Sequence, residues 1–158
     1  MEAVQTGIVI IILAVAAVEM KRGFGRALFD LVGAIVVVVL ARSLASTLAP
    51  TVSLLANKGA NEALWLGIVF AVLGTAAFFL ARWCYNATLI SLDAFDPFFG
   101  AVIGLATGVA VAHVVLVVML MGSTPAKAQQ LRQTRVCREC VNFESYNGLV
   151  TTLNQLGR

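Results

Sequence analysis

Four polar side chains stand inside otherwise apolar stretches of the chain: Asp30, Arg42, Thr107 and His113. A polar or ionisable group surrounded by lipid is costly. Where one is kept, it pairs with a neighbour, lines a water-filled path or relays protons. Asp30 follows Arg26 by four residues, the spacing of an ion pair along one helix face, which would satisfy it structurally. Arg42 stands near the end of its stretch, where a long side chain can snorkel outward. His113 reads in two ways: a neutral ring hydrogen-bonded to a hydroxyl or carbonyl across helices, or a proton relay or pore-lining group. Together the four form the candidate intramembrane polar site. Asp93 and Asp96 lack the further ligands that a cation needs, and Asp96 before Pro97 reads as a helix cap. Cys137 and Cys140 form a single C-x-x-C without the two further ligands of a zinc site. They read as incidental or locally structural thiols, or as a redox or partner-linking pair. The sequence contains no H-E-x-x-H, G-x-S-x-G, phosphate-binding glycine loop or nucleophile–base pair. The chain is therefore expected not to be an enzyme and to use neither cofactor nor metal.

The elements that must hold these residues are apolar rods. Hydrophobic residues make up 60% of the 158 and charged residues 12%, against roughly half and a quarter in globular domains. So small a polar complement cannot coat a water-facing surface, and the lipid bilayer is an expected partner. The net charge of +3 is spread between and beyond the apolar runs. That suits anionic headgroups, and no basic stripe interleaved with aromatics points to nucleic acid. The expected fold is all-α. It is an integral membrane four-helix bundle over residues 1–122, with spans at about 3–20, 27–46, 63–86 and 97–121. A polar C-terminal tail, 123–158, follows; it is expected to be water-exposed and helical from Ala126 to about Val136.

The fourth span organises the others. Its 24 residues from Phe98 to Met121, with one ionisable side chain among them, reach about 36 Å as a helix, enough to cross a ~30 Å hydrocarbon layer with some tilt. Gly100, Gly104, Gly108 and Ala112 recur every four residues and share one face. A face without side chains lets another helix approach backbone to backbone. Gly67, Ala71 and Gly74 in the third span offer a second small-residue face, a candidate partner for that ridge. His113 lies ~160° round the helix from the ridge, so the span needs neighbours on two sides, or one neighbour and a cavity. Lys21, Arg22 and Arg26, spaced by Gly23 and Gly25, read as a lipid or topology anchor at the headgroup surface, or alternatively as a lipid- or partner-binding turn. Trp65, Trp83 and Tyr85 fit an interfacial aromatic belt. The first run is expected to be retained rather than cleaved, because Glu2 stands where a basic signal region would begin. Cations near the span ends balance between the two sides, so charge alone does not orient the chain.

Arg22-Gly23-Phe24-Gly25-Arg26 at the start of the second span resembles the RGFxRE signature of the colicin V production (CvpA) family. Asp96 followed by Gly100, Gly104 and Gly108 resembles the D-x-x-x-G-x-x-x-G-x-x-x-G segment that opens the last span of such proteins. The order and spacing of four spans also match, from about Gly7 to Met121. Ala27 stands where the signature has its acidic residue, Pro97 where an arginine is usual, and Thr107 where a cation is common. The resemblance implies a bacterial inner-membrane, multi-pass protein linked to toxin production or export and to envelope homeostasis. It also implies that the RGF turn faces the cytoplasm and both termini the periplasm. Two roles are consistent with the residues: a helical bundle serving export or envelope permeability as an oligomeric pore, or an accessory or scaffold subunit of a larger membrane complex. The expected protein partners are accordingly further copies of the chain or the other subunits of such a complex.

Overall fold

A computed structural model describes residues 2–88 and 95–142. Asp93 and the tail beyond Asn142 lie outside the described residues. Every regular element described is a helix: α1 (Glu2–Arg22), α2 (Phe24–Thr51), α3 (Lys58–Thr88), α4 (Asp96–Gly122), α5 (Pro125–Arg132) and α6 (Arg135–Asn142). The first four are long and apolar enough to cross a membrane. α4 is the central one. Some 44% of its apolar window is buried inside the bundle, against 17% for each of the other three, and it touches every other helix. Val39, Val72, Phe79 and Leu80 are among many large apolar side chains left facing outward, as a lipid solvent requires.

The glycine ridge is buried along its length, and its partner is α1 rather than the small-residue face of α3. A Cβ placed on Gly100 would lie 2.6 Å from the carbonyl oxygen of Glu19. One on Gly104 would lie 2.8 Å from Ala16 Cα, and one on Gly108 2.9 Å from Ile12 Cα. Contacts that close are made by backbone, so they cannot be relieved by rotating a side chain. Ala112 continues the stripe against Ile8. Nothing lies within 4 Å of a Cβ built on Gly67 or Gly74, and Ala71 is exposed. α3 packs instead mainly on α2, through Leu66 and Val69 against Ala41 and Ala45, with Val114 and Val117 of α4 completing that cluster.

The helices overrun the spans expected from hydropathy. α2 continues through Pro50 to Thr51. A proline in the last turn removes only one backbone bond, and the nearby hydroxyls of Ser46, Thr47 and Thr51 add bonds to Ser43 and Leu48 carbonyls at 2.8, 3.1 and 2.9 Å. α3 starts at Lys58, where Asn57 Oδ1 accepts from Ala60 N at 3.1 Å and so caps the first turn. Asn61, in the first turn of α3 and only 3% exposed, holds the connection between the two helices. Its Oδ1 accepts from Leu54 N and Leu55 N at 2.8 and 3.2 Å, and its Nδ2 donates to Ala49 and Val52 carbonyls at 2.8 and 3.2 Å. Trp65 Nε1 donates to the same Val52 carbonyl.

Asp96 is the first residue of α4 rather than its cap. The cap position falls to Phe95, without a side-chain hydrogen bond, and the Asp96 carboxylate lies against Gly23. An anion in the first turn still faces the positive end of the helix dipole. The tail also differs from a water-exposed rod. It breaks at Gln133 and Thr134, where Thr134 Oγ1 accepts from Cys137 N and starts α6. α6 then folds back on α4. Leu131 and Cys140 join Ile8, Ala112 and Leu116 in one apolar cluster. Arg135 and Arg138 remain exposed, so α6 presents apolar residues to the bundle and cations outward.

Gly104→Leu should separate α1 from α4 and lower stability by about 3 kcal/mol or more, beyond the usual cost of overpacking because the opposing atoms are backbone. A detergent melting curve checks it, and an unchanged midpoint would refute the close approach. Asn61→Ala should cost ~2 kcal/mol or more by stranding buried backbone groups, measured the same way.

Candidate functional site

A cavity of about 220 Å³ is lined by all four long helices: Glu19 and Arg22 of α1, Asp30 and Val37 of α2, Phe70 and Phe78 of α3, and Thr107 of α4 are among its walls. Glu19 and Arg22 occupy one face of α1 because they are three residues apart. Gly23 alone joins α1 to α2. Its φ of 86° lies where a side chain is strained, and the sharp reversal brings Asp30, two turns into α2, back beside Arg22. Arg22 Nη1 then donates to Glu19 Oε1 at 2.9 Å and to Asp30 Oδ2 at 3.2 Å. Two carboxylates share one guanidinium nitrogen. Glu19 is 3% exposed, and its second oxygen, Oε2, has no hydrogen-bond partner among the described residues, nor has Nε of Arg26. Both guanidinium groups stand over one ring: Arg22 at 5.0 Å and Arg26 at 5.5 Å from the Phe78 centroid, within cation–π range.

This corrects the expected Arg26–Asp30 pair. The i, i+4 rule considers one helix, whereas the Gly23 reversal supplies Asp30 with Arg22 from another, and Arg26 goes to the Phe78 face instead. The expected anchor divides in the same way. Lys21 is exposed, while Arg22 and Arg26 turn partly inward. Of the four candidate polar residues, the cavity brings together Asp30 and Thr107, whose Oγ1 is bonded to the Ile103 carbonyl at 3.1 Å. Arg42 is twelve residues along α2 from Asp30, about 18 Å away, and lines a separate cavity with Ser46 and Glu62. His113 faces α6, where its Nδ1 lies 2.9 Å from the Cys140 carbonyl oxygen. A carbonyl only accepts, so the hydrogen is on Nδ1.

Glu19 is the site residue that sequence reasoning misses, because it falls at the polar end of the first expected span, about 3–20. The available signal was Glu19 and Arg22 at i, i+3, followed by an acid in the next apolar run. Cys137 and Cys140 are free thiols, as is Cys84. Burial pushes Cys137 and Cys140 above the usual thiol range; Arg132 opposes the rise at Cys137, while Cys137 and Glu139 add to it at Cys140. Thiolate, the reactive form, is correspondingly scarce at neutral pH. Among the described residues no group of three or more His, Cys, Asp or Glu side chains gathers as a metal site would require.

The turn and the ridge meet in space. A Cβ on Gly23 would lie 3.1 Å from Asp96 Oδ2, one on Gly100 would lie 3.2 Å from Gly23 C, and the Phe24 and Phe99 rings pack edge to face at 6.1 Å. Comparison with curated proteins and with solved structures gives no match. The family model described as colicin V production protein matches residues 5–145. That match takes in the turn, the charged cavity, the ridge and the returning α6, and the chain belongs to the colicin V production family.

Proposed function

We propose that this multi-pass membrane protein resides in the bacterial inner membrane and serves export or envelope permeability without catalysing a reaction. The observation that carries the reading is the charged cavity on which α1, α2, α3 and α4 converge. Ionisable groups held inside a membrane bundle are expensive, and a fold that needed only to be stable would replace them with apolar packing. Glu19, Arg22 and Asp30 would give a polar solute or ion its contacts, with Thr107 as a neutral hydroxyl on the α4 wall. Assembly of several copies would place such cavities around a common path. In this reading the RGF turn, and the cavity beside it, face the cytoplasm.

A second reading has its own support. Gly67, Ala71 and Gly74, the last also bordering the charged cavity, form a small-residue face on α3 that no described helix covers closely. Such a face suits close approach by another helix, from a second copy or from a subunit of a larger complex. Cysteine crosslinking from Ala71→Cys in native membranes separates the two. Self-crosslinks alone support an oligomer of this chain; a stoichiometric foreign subunit supports the accessory role.

For the first reading, Glu19→Gln and Thr107→Val should each lower solute efflux from proteoliposomes by about tenfold, the effect of ~1.4 kcal/mol on a rate. Helix content should stay near wild type, although Glu19→Gln lowers the melting midpoint by loosening a buried ion pair, and Thr75→Val, on the exposed face of α3, should leave efflux unchanged. Full efflux from a folded Glu19→Gln protein would overturn the assignment.

A further inference from the structure

A second polar cleft lies at the opposite end of the bundle, between the last turns of α2 and the start of α3. It consists of two adjoining cavities, of about 390 and 190 Å³, that share Ser46 and Glu62 as walls. Lys58 borders the larger and Arg42 the smaller. None of Arg42, Lys58 and Glu62 makes a hydrogen bond or an ion pair among the described residues. Three charged side chains without a partner among the described residues leave the hydrogen-bonding capacity of the cleft open to a ligand. Ser46 donates its hydroxyl hydrogen to the Ser43 carbonyl at 2.8 Å, which leaves its oxygen able to accept. The cleft therefore offers two cationic donors and, beside them, a carboxylate and a hydroxyl oxygen as acceptors.

Depth and shape narrow the ligand. α2 has 28 residues and is about 42 Å long, so it overruns a ~30 Å hydrocarbon core and its ends pass through the headgroup layer. Arg42 is nine residues from Thr51 at the end of α2, about 13 Å inward, so its Cα lies a few ångströms inside the hydrocarbon and its long side chain snorkels back to the headgroup level. Ala45, Leu66 and Met121 make the inner wall apolar. We propose that this cleft binds a membrane phospholipid whose headgroup carries both a phosphate and a primary amine. Arg42 and Lys58 hold the phosphate diester. Glu62 and Ser46 accept hydrogen bonds from the ammonium group, and the apolar wall takes the first methylenes of an acyl chain. Glu62 sets the selectivity. It repels an anionic headgroup that has no amine, and a quaternary amine offers it no hydrogen.

The test uses the full chain, delipidated in detergent. It measures retention by native mass spectrometry against dioleoyl phosphatidylethanolamine, phosphatidylcholine and phosphatidylglycerol. Phosphatidylethanolamine should be retained about tenfold more strongly than either of the others. Soluble phosphoethanolamine at the same concentration should not be retained, because it lacks the acyl chain. Arg42→Gln with Lys58→Gln should abolish retention of all three lipids. Glu62→Gln should bring phosphatidylglycerol up to the level of phosphatidylethanolamine. Melting curves without lipid confirm that the variants remain folded, which is expected for side chains with no partners to lose. Equal retention of the three lipids, unchanged selectivity in Glu62→Gln, or equal binding of soluble phosphoethanolamine would each overturn the proposal.

Discussion

The backbone contact between α4 and α1 is the constraint from which the rest follows. In lipid, two apolar helices gain little by hiding apolar surface from a solvent that is equally apolar, so association rests on van der Waals contact and on polar groups satisfied between helices. Gly100, Gly104 and Gly108 bring the α1 backbone within van der Waals distance over three successive turns. Glu19 is a direct consequence. Its Cβ and Cγ occupy space that a side chain at position 104 would fill, and that is how a carboxylate comes to be almost wholly buried between two spans.

Once Glu19 is held there, the neighbouring charges fall into place. Arg22 is one turn away and reaches back to it; Asp30 arrives by way of Gly23 and takes the same nitrogen. The two arginines then flank the Phe78 ring, which ties the charged end of α1 and α2 to α3. The bundle is thus unlike at its two ends. Near Gly23 it is held by ion pairs and aromatic faces around a cavity. Toward the other end it is held by close apolar packing, with Leu116 and Val117 at the centre and α6 laid over the outside.

Much of this architecture was legible in the chain, because hydropathy reports the solvent directly and a four-residue glycine repeat reports a face. What could not be read was the partner. Small residues announce that something comes close without saying what, so Gly67, Ala71 and Gly74 looked like the counterpart of the ridge when α1 held that place. Asp30 was assigned to Arg26 for a similar reason: spacing along one helix knows nothing of a neighbour delivered by a turn. The expected ends at 46 and 63 fall short because hydropathy marks where the hydrocarbon ends, whereas hydrogen bonding and the Asn57 and Asn61 side chains decide where the helix ends. The return of α6 depended on Val136, Cys137, Cys140 and Val141 sharing one side of a helix too short to register as an apolar run.

The single-residue link at Gly23 has a consequence for biogenesis. α1 and α2 are joined too tightly to enter the bilayer as independent units, yet they touch each other little. The principal neighbour of α1 is α4, whose first residue is translated more than seventy positions after the last residue of α1. The order of synthesis and the order of docking therefore differ. The leading hairpin must wait in the membrane with its two acids already paired to its own Arg22, until the glycine helix leaves the ribosome and closes over it.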